Sequence, residues 1–329
     1  MDNMCRENFD YVIKKSKNNG NLLIKEIDYD VAKKMVVKNH YSHTWNTSFG
    51  KINFGIYRGD KLLGCAVYGN LMNPKSTKSI TDDGEIIELN RLWVDDVLGK
   101  NTETMFLSAT FTIIKNKYPE IVLVQSFADG RLGVGTIYKA SNFGYYGKTT
   151  SRFFDNGNET FHKVPLENTK RPKGFMIKNL YVITENVEVF DVNTYRYLYK
   201  LKKKVNIKLK EEPYPEYQKG QTKVDYIPSI GTYTRLAIMY KGFKLIEEYN
   251  KTLSYLLKFY SKDDINLSWK EQLKNSSLID VFSNYKNKKE LAIEIRAVSE
   301  TLGIRKVGIE TTLTDEQNNI HEKDGVAQL

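Results

Sequence analysis

The fold is decided by one stretch of sequence, Ile121-Val122-Leu123-Val124-Gln125-Ser126-Phe127-Ala128-Asp129-Gly130. An apolar, β-branched run that leads into polar residues is typical of a buried strand in an α/β sheet. The glycine-rich residues 130–135 predict a loop, and the apolar positions of 137–141 predict a helix after it. Ligands of open α/β sheets bind beyond the carboxyl ends of the strands. Ser126 and Asp129 therefore lie where we expect chemistry.

Further helices and strands are predicted on the N-terminal side of this strand. Tyr29–Lys38 has the spacing of a helix, and Lys51–Tyr57 and Lys61–Tyr68 alternate apolar and polar residues about a glycine-containing turn. Thr102–Lys117 has a helical apolar stripe that ends before Pro119. The order of these elements predicts a mixed central sheet flanked by helices.

Composition and charge limit the class of protein. Of 329 residues, 40% are hydrophobic and 27% are charged, and no apolar run approaches the ~20 residues of a membrane span. Two cysteines make neither a disulfide framework nor a zinc motif, so we expect a cytoplasmic protein. The first 220 residues carry 34 basic and 25 acidic residues, whereas the remainder carry 16 and 15. A basic excess confined to one part is typical of a nucleic-acid-binding protein.

Several motifs together resemble the Mom proteins of phages. They are His40-Tyr41, Glu88–Val94, Ser126–Asp129, Gly135–Phe143 and the basic run Tyr195–Lys204. The resemblance covers about residues 22–217 and implies a GNAT-like fold. It also implies a transferase that converts the N6 amine of adenine in DNA to a carbamoylmethyl-type (acetamido) derivative, which protects phage DNA from restriction. The host cytoplasm would then be its location.

The resemblance also implies a set of catalytic residues: His40, Tyr41, Ser126, Asp129 and Tyr138. His40 is interpreted as a general base or a metal ligand, and with His43 and Asp129 it would offer the donors that suit non-haem iron. The alternatives are a histidine-rich surface loop and an aspartate that caps a turn. Tyr138 would donate a proton or stack on a flipped base, or else be a core tyrosine.

The group donor implied by a GNAT-related fold is acetyl-CoA or a related acyl donor. Arg91 is the candidate for a substrate or cofactor phosphate, and the helix start at Lys100, Asn101 and Thr102 would present N–H groups to phosphate. GNAT enzymes usually use an Arg/Gln-x-x-Gly-x-Gly/Ala turn, which residues 97–102 do not contain. Glu88 and Arg91, three apart on a strand, lie on opposite faces unless a bulge intervenes.

A basic segment predicts contact with double-stranded DNA. Between Arg196 and Lys210 there are seven basic residues and no acidic ones, and tyrosines 195, 197 and 199 interleave with them. Cations for phosphates and aromatic rings for stacking are what DNA contact requires. The predicted DNA-binding residues are Arg171, Lys173, Arg196, Lys200, Lys202, Lys203 and Lys204. The alternative is a solvated edge strand protected by lysines.

The chain divides, on this interpretation, into a catalytic domain at 1–217 and a mainly helical accessory domain at 218–329. Heptad spacing from Leu236 to Tyr260 predicts one long amphipathic helix, weakened at Gly242, and Leu291–Leu302 predicts a second. These helices form either a small domain folded on itself or a module that binds a second copy or a protein partner. Residues after Thr311 are expected to fray.

Two other functions stay open at this stage. One is an acyl-CoA-dependent GNAT N-acetyltransferase that acts on a protein or a small amine, although the missing glycine turn counts against it. The other is a non-catalytic DNA-binding protein that uses the same basic surface.

Overall fold

The chain forms two compact units. A computed structural model describes residues 10–16, 19–217, 222–274 and 285–305. The first unit contains residues 1–150 and 192–221, and the second contains 151–191 and 222–329. The predicted fraying after Thr311 lies outside the described residues.

The strands and helices are numbered in chain order. The strands are β1 (Tyr11–Ser16), β2 (Gly20–Glu26), β3 (Ile52–Arg58), β4 (Lys61–Gly69), β5 (Glu85–Val94), β6 (Ile121–Asp129), β7 (Gly144–Asp155), β8 (Thr160–His162), β9 (Glu188–Lys200) and β10 (Thr222–Lys223). The helices are α1 (Tyr29–Asn39), α2 (Thr77–Ile80), α3 (Thr102–Lys117), α4 (Thr136–Ala140), α5 (Val164–Glu167), α6 (Pro172–Ile183), α7 (Ile230–Gly242), α8 (Ile246–Leu256), α9 (Lys262–Leu273) and α10 (Lys288–Thr301).

A mixed sheet is the centre of the first unit, in the order β1-β2-β3-β4-β5-β6, followed by the parts of β9 and β7 that belong to this unit. β5 and β6 are parallel, whereas the pairs from β1 to β5 and the pair β6–β9 are antiparallel. On one face, Ala32 and Val36 of α1 pack with Cys65 and Val67 of β4. On the other face, α3 packs into the main core, where Phe106 is fully buried. The predicted mixed sheet with flanking helices is confirmed.

The two parallel strands separate partway along their length. Their pairing ends at Glu88 and Gln125. From there β5 follows β4 to its end at Val94, and β6 follows β9 to Asp129. A wedge therefore opens between β5 and β6 on the carboxyl side of both strands, which is where ligands bind in α/β sheets.

A β-bulge lies at the start of this wedge. On β5, Leu89 pairs with Tyr68 and Arg91 pairs with Val67, so Asn90 is the additional residue. A bulge of this kind changes the alternation of side chains. Glu88 and Arg91 therefore lie on the same face of β5, which is the exception that a bulge was expected to produce.

The second unit has its own apolar core. Phe175, Met176 and Leu180 of α6 are fully buried, and they belong to one cluster with Leu236 of α7 and Ile295 of α10. This packing explains why residues 151–191 group with the C-terminal helices. The division predicted from the sequence, at 217/218, instead assigned this segment to the first domain.

The long helix predicted from Leu236 to Tyr260 is two helices. α7 ends at Gly242, Lys244 has a left-handed backbone (φ 57°), and α8 begins at Ile246. The single-helix prediction is wrong because the turn allows α7 and α8 to pack against each other. The second predicted helix is confirmed as α10. Among the described residues, no helix is both long enough and apolar enough to cross a bilayer.

Candidate active site

A pocket of about 310 Å³ lies in the wedge between β5 and β6. Its volume is at the lower end of the range for small-molecule sites, roughly 300–1,000 Å³. The lining comes from four parts of the first unit: the end of α1, the bulged part of β5, the end of β6, and the loop that leads into α4. The lining contains four of the five predicted catalytic residues: His40, Tyr41, Asp129 and Tyr138.

Asp129 ends β6 and is held by Arg131. Its Oδ1 accepts hydrogen bonds from the Arg131 backbone N–H and from Nε, both at 3.0 Å, and Oδ2 accepts from Nη2. The backbone contact is a turn of the kind that aspartate favours after a strand. The guanidinium contact fixes the carboxylate plane at the pocket wall. Arg131 thus orients Asp129.

Ser126 contributes to the site through Tyr138. Ser126 Oγ lies 2.9 Å from Tyr138 Oη and 3.0 Å from the carbonyl oxygen of Leu89, and the serine is fully buried. Tyr138 also stacks on Tyr197, with 5.0 Å between ring centroids. Burial raises the pKa of Tyr138, so its hydroxyl keeps its proton at neutral pH. Tyr138 Oη also donates to the Phe127 carbonyl oxygen at 3.4 Å. Ser126 therefore helps to fix the position of the Tyr138 hydroxyl at the pocket.

Tyr41 contributes a second protonated hydroxyl. Partial burial, followed by the nearby Asp129 carboxylate, raises the pKa of Tyr41 to about 12. The residue keeps 53% of its surface exposed, and its ring lies 4.3 Å from the His40 ring, centroid to centroid. Tyr41 therefore lies where the pocket meets solvent.

His40 is connected to Arg91 by a chain of hydrogen bonds. Arg91 Nη2 donates to Thr44 Oγ1 at 3.0 Å, and Thr44 Oγ1 donates to Ser42 Oγ at 3.3 Å. Ser42 Oγ lies 2.9 Å from His40 Nδ1, which also accepts from the Ser42 backbone N–H at 3.2 Å. Because Nδ1 accepts, the proton of neutral His40 resides on Nε2.

The charge state of His40 agrees with this tautomer. Burial, and then the charge of Arg91, lower the pKa of His40 to about 4. His40 is therefore neutral at physiological pH and offers an Nε2–H donor. A neutral imidazole with an occupied Nδ1 and a protonated Nε2 does not fit the predicted role of general base.

Arg91 is the cation of the pocket. Its guanidinium lies over the Phe49 ring, 4.5 Å from the centroid, and Nη1 donates to the Asn90 carbonyl at 2.6 Å. Its Nε is buried with no hydrogen-bond partner among the described residues. Arg91 is half-buried, lines the pocket and forms no ion pair among the described residues, so its guanidinium can bind an anionic or carbonyl-bearing group.

The three residues proposed for iron do not fit a metal site. Within the described parts of the chain, no three or more His, Cys, Asp or Glu side chains are grouped so as to hold a metal ion. His40 Nδ1 is occupied, His43 Nδ1 lies 2.9 Å from the Val37 carbonyl oxygen, and Arg131 binds both oxygens of Asp129. The metal assignment of His40 and Asp129 is not supported.

The residues predicted to bind a cofactor are divided between two places. Arg91 lines the pocket, whereas Lys100, Asn101 and Thr102 at the start of α3 are not among its lining residues. Lys100 and Asn101 are exposed. The Thr102 hydroxyl is buried and donates to the carbonyls of Leu98 and Gly99, so it joins the start of α3 to the preceding turn instead of facing a ligand.

The predicted DNA-binding residues differ in their surroundings. In the first unit, Lys200 and the three lysines 202–204 are exposed, whereas Arg196 is half-buried over the Phe127 ring. β9 lies between β6 and β7, so it is not an edge strand. Tyr195 and Tyr197 are 3% and 1% exposed and belong to the core, so they cannot stack on bases.

Arg171 and Lys173 belong to the second unit, where both are exposed. Lys173 Nζ forms an ion pair with Glu294 at 2.8 Å. Its charge is therefore already matched within the unit.

Four residues of the site were not identified from the sequence: Ser42, Thr44, Phe49 and Arg131. Thr44 and Ser42 follow the His-Tyr pair directly, and their hydroxyls were the available signal. Arg131 follows Asp129 by two, the spacing of a side chain that folds back on a turn. Phe49 gave no signal, because its contact with Arg91 depends on the bulge in β5.

Comparison with known proteins finds a family for this chain. The model of the Mom protein family matches residues 21–216. The "Methylcarbamoylase mom" of Escherichia phage Mu is 32% identical over 207 residues, which cover 59% of this chain and 84% of that protein.

Among solved structures, Arabidopsis thaliana NAA60 with a bisubstrate analogue has 10% identity and a TM-score of 0.36, covering 54% of this chain and 97% of its own. The RimL ribosomal L7/L12 alpha-N-protein acetyltransferase has 13% identity and a TM-score of 0.31, covering 57% and 97%. Scores this low carry no argument about substrate or donor. The family model, which matches more than half of the chain, and the relative from phage Mu show that the chain belongs to the Mom protein family.

Proposed function

We propose that this protein is a DNA-modifying transferase that converts the N6 amine of adenine to a carbamoylmethyl-type derivative and thereby protects phage DNA from restriction. Membership of the Mom family and the name of the phage Mu relative support the reaction class. The observation that carries the proposal is the convergence of His40, Tyr41, Arg91, Asp129 and Tyr138 on one pocket.

The polar groups of the pocket suit adenine. The N6 amine offers two N–H donors, and Asp129 is the carboxylate at the pocket wall that can accept from one of them. The ring nitrogens of adenine are acceptors, and Tyr41 and Tyr138 keep their protons because their pKa values are raised. A base in duplex DNA reaches such a pocket only when it is flipped out of the stack.

The reaction forms one N6–carbon bond, releases one N6 proton and breaks the bond between that carbon and the donor's leaving group. Arg131 holds Asp129 beside the expected position of the amine, so Asp129 is the residue placed to receive the proton. Arg91 and the Nε2–H of His40 are placed to bind the oxygen of the entering amide. Plain acyl transfer would leave a carbonyl on nitrogen, so it does not by itself make a carbamoylmethyl product.

An acyl donor with a phosphate-bearing carrier, such as acetyl-CoA, would find cations at two places. Arg91 lies in the pocket, and Lys100 is exposed beside Asn101 at the start of α3. The backbone N–H groups of a helix start favour phosphate. For the carbamoylmethyl product the donor must carry its leaving group on the methylene carbon, which the thioester of acetyl-CoA does not. The residues of this chain would bind and orient such a donor.

Double-stranded DNA is the partner that the proposal requires. Lys200 and the three lysines 202–204 are exposed in the first unit, and in the described part of the chain no ion pair is recorded for any of them. Unpaired cations of this kind release counterions from phosphates when they bind DNA.

The proposal is tested by mass spectrometry of nucleosides from cells that express the protein. We expect a deoxyadenosine in which CH₂CONH₂ replaces one hydrogen, and resistance of that DNA to restriction enzymes. A methylcarbamoyl group has the same atoms, so fragmentation must show a methylene on N6. An acetyl increment on proteins with unmodified DNA would support the N-acetyltransferase instead, and unmodified nucleosides with tight DNA binding would support a non-catalytic DNA-binding protein.

A further inference from the structure

A groove of about 410 Å³ crosses the surface of the second unit, outside the segment that the family model matches. It lies between the turn after α7 and one side of α10. Its lining contains four cations, Lys244, Lys288, Lys289 and Arg296, and no acidic residue. The other lining residues are Gly242, Phe243, Ala292 and Ile293.

This concentration of charge is not explained by the composition of the segment. Residues 222–329 carry 16 basic and 15 acidic residues, so they are nearly balanced overall. Glu294 of α10 is already paired with Lys173. All four groove cations are exposed, and in the residues 222–274 and 285–305 none has a recorded ion pair.

Stability of the unit does not explain the cations either. Lys288 and Lys289 are the first two residues of α10, where positive charge opposes the helix dipole and costs a few tenths of a kcal/mol. Lys244 has a left-handed backbone. Ile293, one of the lining residues, is 62% exposed. Cations that lower the stability of the unit and have no ion-pair partner among the described residues are better explained by the binding of an anionic ligand.

We infer that this groove binds the phosphate backbone of DNA and that the second unit is a second DNA contact of the enzyme. Each of the four exposed cations along this groove can contact a phosphate, and contacts of this kind carry no sequence information. The inference rests on the proposed function only for the choice of DNA over other polyanions.

The test is DNA binding by the full-length protein, measured by fluorescence anisotropy with a labelled duplex over a series of salt concentrations. The groove variant replaces Lys244, Lys288, Lys289 and Arg296 by Gln. The control variant makes the same change of charge at exposed lysines elsewhere in the unit: Lys251, Lys262, Lys270 and Lys274. Matching circular dichroism and melting curves establish that both variants fold.

The measured quantity is the slope of log K for DNA association against the logarithm of the salt concentration. We expect its magnitude to be smaller by about 3 to 4 in the groove variant, since each phosphate contact contributes about 0.9. The control variant should keep the wild-type slope. Equal slopes for the two variants would overturn the inference. So would unchanged DNA binding with loss of binding to polyglutamate, because the occupant would then be an acidic protein.

Nucleoside mass spectrometry of the wild type separates this inference from the proposed function. If modified adenine is present and the slopes are equal, only the groove assignment fails. If the salt dependence of DNA binding decreases in the groove variant, but DNA from cells that express the wild type contains no modified adenine, the groove assignment holds and the proposed reaction fails.

Discussion

At the scale of single residues, the pocket depends on side chains that orient other side chains. Arg131 holds Asp129, Ser126 holds Tyr138, and the hydroxyls of Ser42 and Thr44 connect His40 to Arg91. Ser126 belongs to the motifs that resemble the Mom proteins, whereas Arg131, Ser42 and Thr44 lie outside them and support their residues.

Thr44 is expected to be a positioning residue. Thr44→Val removes the acceptor of Arg91 Nη2, and a hydrogen bond to a charged group contributes about 1.5–3 kcal/mol. We expect modification to slow at least about tenfold. Thr44→Ser should restore the rate, because it keeps the hydroxyl. Thr112→Val, which loses a hydrogen bond to Ser108 in α3, serves as the control. Equal modification rates for Thr44→Val and the control would contradict the role of the hydrogen bonds that connect Arg91 to His40.

His40 should make the protein less stable in acid. Its pKa is about 4 in the folded state and 6.5 in the unfolded chain, so the unfolded state binds more protons between these values. Stability from this group is therefore lost as pH falls below 6.5. We expect His40 to contribute a loss of about 2 kcal/mol between pH 7 and pH 5.

Denaturant unfolding of the wild type and of His40→Gln at both pH values measures this contribution. Between pH 7 and pH 5, the free energy of unfolding of the variant should fall by about 2 kcal/mol less than that of the wild type. If both proteins lose the same stability between pH 7 and pH 5, His40 is not held neutral by the fold.

At the scale of elements, the bulge in β5 requires glycine on the neighbouring strand. A Cβ at Gly69 would lie 2.2 Å from the Ser48 carbonyl oxygen and 2.4 Å from Asn90 Oδ1. Gly69→Ala should therefore cost about 1–3 kcal/mol of unfolding free energy. It should also displace Arg91, so modification should slow as well. Thermal unfolding and the modification rate measure the two effects.

Gly174→Ala is the matched control for this substitution. Gly174 lies inside α6, and its Cβ would meet only the Pro165 side chain, at 4.0 Å. Alanine inside a helix is favoured over glycine by about 0.5–1 kcal/mol, so this variant should be more stable than the wild type. If Gly69→Ala were equally stable, the bulge would not be constrained as the structure indicates.

Sequence patterns predicted helices and strands well where residues close in sequence determine their bounds. α3 has the bounds that its apolar stripe and Pro119 predicted. β9 was misinterpreted because its partners are distant: Ser126 pairs with Tyr197, and no local pattern reports such a pairing. Lysines after Lys200 indicated a solvated segment, while the tyrosines before it belong to the core. The break after Gly242 also depended on packing, because the heptad pattern continues through it.

At the scale of the whole molecule, the structure brings most of the predicted catalytic residues together but divides the chain differently from the sequence. His40, Tyr41, Asp129 and Tyr138 are far apart in sequence and share one pocket. The resemblance to a family brought them together, because spacing alone could not relate positions 40 and 129. The predicted boundary at 217/218 did not group α6 with the C-terminal helices. The buried face of α6 would be apolar whether it packed against the first unit or against those helices, so the sequence pattern does not distinguish the two.

The central claim is that this pocket modifies adenine, and Asp129 tests it most directly. Nucleosides are measured by mass spectrometry after expression of the wild type, of Asp129→Asn and of Asp60→Asn, an exposed aspartate in a turn of the same unit. We expect modified deoxyadenosine with the wild type and with Asp60→Asn, and a loss of at least about a hundredfold with Asp129→Asn. Equal modification by all three proteins would contradict the assignment of this pocket as the active site.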